Sequence, residues 1–233
     1  EMLFLADRAA RQVGFGIRSV RIDGLKELKA WQVLEALDMD ETRSLLLLDA
    51  GEARRRLETV PLVRRAAVHK LYPGALRIEI EERSPFALWQ KEGVLSVIDV
   101  DGTVIGRGGD LRYAGLPVVV GEGAGRHARA LFAALLRFPD LAARLQVATR
   151  VADRRWNLRL GSVDVRLPEG DPAEALASLD GLHKAVALLD RDVAAVDLRL
   201  PDRAAVRLTD PAAGRFQAMV KEREKRRRAG GNA

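Results

Sequence analysis

The segment Leu71-Tyr72-Pro73-Gly74-Ala75-Leu76-Arg77-Ile78-Glu79-Ile80-Glu81-Glu82-Arg83-Ser84-Pro85-Phe86-Ala87 constrains this chain more than any other. It opens on a turn tripeptide, runs through apolar and charged residues in strict alternation, and stops at a proline. Period-two alternation is the pattern of a strand with one face buried. Leu76, Ile78 and Ile80 share one face, and Arg77, Glu79 and Glu81 the other. The run Val63 to Leu71 before the turn is predicted as the other strand of an antiparallel hairpin. Nothing in the segment looks catalytic.

Upstream, residues 15–22 read as a strand closed by Asp23-Gly24. Lys29 to Leu37 reads as a helix with Ala30, Val33, Leu34 and Leu37 on one face. Asp49 to Glu58 is predicted as a second helix, with Asp49 as N-cap, Glu52 completing a capping-box-like pair and Pro61 beyond its end. The order over these residues is β-α-α-β-β.

After Pro85 the pattern changes. Strands are predicted at Ala87 to Gln90 and Val94 to Ile98, with Asp101-Gly102 as a hairpin turn before Thr103 to Ile105. Leu116 to Val120 is a further short strand. Arg126 to Phe138 reads as a helix, and Pro139 to Gln146 as a second helix following it. Arg155 to Leu160 and Val163 to Leu167 form a pair about Gly161-Ser162. Asp171 to Asp190 is an amphipathic helix, with Asp171-Pro172 supplying the cap and the first helical position. Two final strands, Ala195 to Leu200 and Ala204 to Leu208, flank Pro201-Asp202-Arg203. Pro211 and Gly214 end the pattern, and a polar, basic tail without regular structure is expected beyond them, disordered at Gly230, Gly231 and Asn232.

With 233 residues and 48% hydrophobic composition, each half has enough chain to bury a core of its own. The net charge of +6 favours partners with negative surface, but basic and acidic residues are interleaved almost everywhere. Only Lys221 to Arg228 concentrates positive charge. The absence of cysteine excludes disulfides, thiolate metal sites and cysteine nucleophiles, and it fits an oxidising compartment. No stretch reaches the roughly 20 apolar residues that span a bilayer. The opening Met2 to Ala6 is too short and lacks the marks of a signal peptide. Because Glu1 is not an initiator methionine, the chain is expected to begin partway into a longer protein.

Candidate chemistry is thin. His69, His127 and His183 stand without partners at metal-ligand spacing, and no Gly-x-Ser-x-Gly elbow exists. Asp99-Val100-Asp101-Gly102 has two acidic residues of a calcium loop but not the rest, and a hairpin turn accounts for it. Gly121-Glu122-Gly123-Ala124-Gly125 follows a strand and precedes a helix, yet Arg126 stands where a dinucleotide loop has its third glycine. The basic tail has no aromatic residues around it on which bases would stack. No catalytic, cofactor or metal site is assigned. The last strand is the better candidate. A final strand is often a sheet edge, and an edge offers unpaired N–H and C=O groups. Arg203 and Arg207 alternate there with Ala204, Val206 and Leu208, a pattern that either guards the edge or receives an acidic partner strand.

These elements together resemble the extracytoplasmic part of the FtsQ/DivIB bacterial cell-division proteins. The resemblance rests on Ile17 to Gly24, on Leu57-x-x-Val60-Pro61-x-Val63, on Tyr72-Pro73-x-x-Leu76-x-Ile78 and on Glu82-Arg83-x-Pro85-x-Ala87. It continues through Ile98-Asp99-x-Asp101-Gly102-x-Val104, Leu116-Pro117 with Gly121, and Val196-Asp197-Leu198-Arg199. The implied fold is α+β: an N-terminal POTRA domain (β-α-α-β-β), then a mixed β-domain with flanking helices. The expected boundaries are a membrane-proximal linker at 1–14, the POTRA domain at 15–84, the β-domain at 85–210 and the tail at 211–233.

The resemblance implies a scaffold without enzymatic activity or cofactor. It implies one inner-membrane helix, which would lie before residue 1, with this region in the periplasm at the division septum. The implied partners are the coiled-coil proteins FtsB and FtsL, other divisome membrane proteins, and no nucleic acid; the outcome is regulation of septal peptidoglycan synthesis. The family's partner surface is the last strand of its β-domain, to which a partner strand is added, helped by an arginine on an earlier strand. By position this implies Ala204, Ala205, Val206, Arg207 and Leu208, with Leu200, Asp202 and Arg203 leading in, and Arg154 or Arg155 as the earlier arginine. The family often has an aromatic where Leu200 and Leu208 stand, and a small residue where Arg207 stands, so the side-chain contacts are expected to differ. The alternatives are a POTRA-containing outer-membrane assembly or secretion component, which would carry repeats and a barrel, and a basic nucleic-acid-binding protein.

Overall fold

The computed structural model describes residues 14–38, 44–200 and 202–230, with side chains as far as Arg223. The expected linker at 1–14 lies almost wholly outside the described residues, as do Gly231 and Asn232 at the end of the tail. The chain divides into two compact units: Glu1–Pro85 with Thr103–Gly106, and Phe86–Gly102 with Arg107–Ala233.

The first unit runs β1 (Ser19–Asp23), α1 (Ala30–Ala36), α2 (Ala50–Glu58), β2 (Val63–Leu71) and β3 (Ala75–Glu82). Its three-stranded sheet has the order β1-β3-β2, with β1 parallel and β2 antiparallel to β3. The alternation in β3 decides which face is dry. Leu76, Ile78 and Ile80 are buried with Val33, Leu57, Val63 and Ala66, whereas Arg77 faces water and pairs with Asp23 at 3.1 Å and Glu79 at 3.2 Å. Asp49 caps α2 as expected, accepting from Gly51 N–H and Glu52 N–H. Glu52 does not close a capping box; its carboxylate accepts from Arg55 and Arg56 one turn on, a stronger pairing for an anion in a first turn.

The end of β3 is held by a carboxylate. Glu82 accepts the backbone N–H groups of Lys26, Glu27 and Leu28 at 2.8, 2.9 and 3.0 Å. Three consecutive donors ahead of α1 thereby find an anionic acceptor at the end of the central strand. Burial alone would raise the Glu82 pKa, but these three bonds outweigh it and hold the carboxyl below its ordinary value.

The second unit begins with β4 (Ala87–Lys91) and β5 (Val94–Ile98). Strand β6 (Val104–Arg107) follows in the chain but, apart from Arg107, groups with the first unit. The second unit continues with β7 (Val118–Val120), α3 (Ala124–Leu135), α4 (Pro139–Arg144), β8 (Leu145–Val151), β9 (Arg155–Leu160), β10 (Val163–Glu169), α5 (Pro172–Val186), β11 (Val193–Asp197), β12 (Ala205–Leu208) and α6 (Asp210–Gly230). Eight strands of its sheet lie in the order β12-β11-β10-β9-β8-β7-β4-β5. Strand pairs β4–β7, β7–β8 and β10–β11 are parallel, which mixes the sheet as α5 and α3–α4 cross over it. Leu131, Leu135 and Leu141 from the first crossover and Leu176 and Leu179 from the second are fully buried against the sheet.

Two elements depart from the sequence reading. Leu145–Val151 is a strand, not the end of a helix: it fills the place between β7 and β9, and its pairing on both sides outweighs the helical spacing of Leu141 and Leu145. The expected unstructured tail begins instead as α6, whose Asp210-Pro211 start is followed by the helix formers Ala212, Ala213, Gln217, Ala218 and Met219.

Candidate partner-binding edge

One row of side chains marks the candidate edge. Trp89 stands opposite Val119, Val119 opposite Ala148, Ala148 opposite Leu158, Leu158 opposite Val165, Val165 opposite Val196, and Val196 opposite Val206. From Val119 to Val196 every member is at most 2% exposed. Val206, the last, is 42% exposed. The apolar row that the sheet buries strand after strand therefore ends in an uncovered valine. On the same side of β12, Ala204 and Leu208 are packed against the core and only partly covered.

The backbone of β12 is open in the same direction. Leu198 N–H donates to Arg166 O at 2.9 Å, which turns Leu198 and Val196 toward β10, and Ala195 and Asp197 toward β12. Thr209 N–H donates to Asp192 O at 2.9 Å. Since peptide groups alternate along a strand, Thr209, Arg207 and Ala205 point at β11, and Val206 and Leu208 point away from it. The register shift between Val193 and Ala195 lies on β11, so β12 itself stays regular. Among the described residues no strand lies beyond β12. Alternation also puts Arg207 on the opposite face from Val206; it is exposed and has no ion-pair partner among the described residues.

The segment leading into β12 is braced by ion pairs. Arg199 clasps Asp197 at 2.5 Å, and this hydrogen-bonded pairing holds the Asp197 carboxyl at about 2 despite the opposing effect of burial. Arg203 clasps its neighbour Asp202 at 2.6 Å. Leu200, Asp202, Arg203 and Ala204 line a groove of about 680 Å³ against Glu169 at the end of β10 and Leu182 on α5. Leu200 is 55% exposed there.

The two earlier arginines do not sit on the edge. Arg155 begins β9, three strands from β12, and pairs across to Glu169 and Val151. Arg154 reaches Glu169 with an ion pair at 3.5 Å. The structure therefore links Arg154, through Glu169, to the groove of Leu200, Asp202 and Arg203, while Arg155 stays inside the sheet. Chain position alone carries no information on this separation, which the crossover through α5 creates.

The other motifs of the sequence have structural roles. Gly121 has φ of +102°, and a Cβ there would stand 2.5 Å from Arg150 O; Gly123, at φ of +70°, precedes α3, and a Cβ would run into the Asp153 carboxylate. These glycines serve a close crossing of two loops. Asp153 is ringed by Arg126, His127 and Arg150 at 3.5–3.6 Å, with Arg150 stacked on Trp156. His183 Nδ1 accepts from Leu189 N–H, closing the turn after α5. Asp99 accepts from Asp101 N–H in the turn that Gly102 completes. No group of acidic or histidine side chains suited to a metal occurs among the described residues.

Comparison with known proteins gives the family of the chain. Residues 15–83 match the model of the FtsQ-type POTRA domain, and residues 87–199 match the C-terminal domain of cell division protein FtsQ/DivIB. The chain is 44% identical over 219 residues to cell division protein FtsQ of Bradyrhizobium diazoefficiens, covering 94% of this chain and 64% of that protein. It is 42% identical over 203 residues to that of Rhizobium meliloti, covering 87% and 66%. The FtsQ protein of Rhizobium radiobacter is 39% identical over 195 residues, covering 83% of this chain and 93% of that one. The chain thus spans just under two thirds of the length of the first two relatives. On these matches and the architecture that agrees with them, the chain belongs to the FtsQ/DivIB family of bacterial cell-division proteins.

Proposed function

We propose that the chain is the periplasmic part of a non-enzymatic divisome scaffold, anchored in the inner membrane by a helix outside this sequence. In this reading β12 receives a strand from FtsB, FtsL joins the same assembly, and the complex regulates septal peptidoglycan synthesis. The observation that carries the reading is the buried row that ends at Val206, where an exposed apolar side chain coincides with outward-facing peptide groups. A partner strand beside β12 would satisfy those groups and cover the valine together. Covering the exposed part of Val206 is worth about 1 kcal/mol, and the backbone bonds fix the register.

The test is titration of FtsB-derived segments into the chain and its Val206→Pro variant. Proline removes an N–H that β11 does not use, so the fold is retained while the partner loses a donor and meets a ring. Binding should fall below detection. Unchanged affinity in a folded Val206→Pro protein would refute strand addition at this position.

A further inference from the structure

We propose that α6 is a second docking element, which receives an acidic amphipathic helix of a partner protein. The proposal stands on α6 alone and does not depend on strand addition at β12.

The start of α6 is fixed. Arg215 pairs with Asp192, and Ala213 N–H donates to Thr209 O at 2.9 Å, directly after β12. Beyond that anchor, every residue from Gly214 to Arg223 is exposed. A helix in water on all sides and carrying a glycine gains little from its own propensity. Yet this one is not polar all round. Phe216, Met219 and Val220 follow the i, i+3, i+4 spacing of a single stripe and are 53%, 60% and 37% exposed. Ala212 and Ala213 extend the stripe one turn back, and Arg223 continues it one turn forward. From Lys221 to Arg228 the sequence holds six basic residues against two acidic ones.

This lengthwise order of an apolar patch followed by positive charge selects the occupant. A helix lying on a membrane needs an apolar face along its whole length with basic flanks, and this stripe spans only two turns. A second copy would set like charges side by side if parallel, and if antiparallel would leave each basic end without an acidic counterpart. A partner helix with an apolar stripe leading into acidic turns satisfies both parts at once.

The experiment uses the whole chain and a designed helical peptide, with leucine at the first and fourth positions of each heptad and glutamate flanking them, read by fluorescence anisotropy. A lysine-flanked peptide is the charge control, phosphatidylglycerol–phosphatidylethanolamine vesicles the membrane control, and sedimentation reports self-association. The acidic peptide should bind and the lysine peptide should not. Phe216→Ser with Met219→Ser should lower affinity at least tenfold without changing the circular dichroism of the fold. Lys221→Glu with Arg223→Glu should lower it at least threefold. Val206→Pro should leave peptide binding unchanged, which separates this proposal from strand addition. Failure of the acidic peptide to bind, affinity indifferent to Phe216 and Met219, or a stripe-dependent attachment to vesicles or a second copy in place of the peptide would overturn it.

Discussion

Removing the Glu82 carboxylate should loosen the first unit. Glu82 accepts three backbone N–H groups, two of them through Oε1 and one through Oε2. A hydrogen bond to a charged group is worth about 1.5–3 kcal/mol, with the lower end suited to sites that water reaches. In Glu82→Ala, the Lys26 and Glu27 donors turn to solvent and the partly buried Leu28 N–H loses its acceptor, for a cost of about 2–4 kcal/mol. In Glu82→Gln, Oε1 still accepts from Lys26 and Leu28 while the bond from Glu27 is lost, so about 1–2 kcal/mol is expected. A domain holds only about 5–15 kcal/mol in all, so the alanine change is large. The sign with pH follows from the lowered pKa: the contribution is complete above the ordinary glutamate value and fades as pH falls below it. Hydrogen exchange by mass spectrometry over Leu76–Ile80 in the whole chain measures this free energy directly. A loss under about 0.5 kcal/mol for Glu82→Ala, or equal losses for alanine and glutamine, would refute the three-donor account.

Three further outcomes are expected. Asp197, held at about 2, should stabilise β11 and the segment 198–204 fully above the ordinary aspartate range and lose that effect as pH falls from about 4 toward 2; exchange of this segment should show the trend, and Asp197→Asn should abolish it. Gly123→Ala should cost about 1–3 kcal/mol in urea unfolding, because φ is +70° and the new Cβ meets the Asp153 carboxylate. Arg207→Glu should leave stability within about 0.5 kcal/mol, since Arg207 has no ion-pair partner among the described residues, while weakening an acidic partner in a salt-dependent way.

Much of the fold is legible in the residues. The alternation through Leu76–Ile80 specifies both a strand and its buried face, and the Asp49 and Asp171-Pro172 signals mark helix starts that the structure keeps. What escapes such reading is non-local. Val147, Thr149 and Val151 carry a strand signal in β8, but the preceding Leu141 and Leu145 fit a helix equally well, and only the vacancy between β7 and β9 decides. The edge shows a similar division. Val206 is suspect from its place in the last strand, yet its position at the end of a buried row depends on a register across strands distant in the sequence. Arg154 and Arg155 are adjacent in sequence, but the sheet sends one toward Glu169 and the groove and keeps the other within β9. The basic composition of the C-terminal residues hides the stripe of Phe216, Met219 and Val220 that helical spacing assembles.

Amide exchange along β12, read by NMR with and without the FtsB-derived segment, tests the proposed strand addition most directly. Ala205 and Arg207 face β11 and should already be protected in the free chain. Val206 and Leu208 should exchange quickly in the free chain and become protected when the partner is bound. Protection that leaves Val206 and Leu208 unchanged under saturating partner would contradict the account.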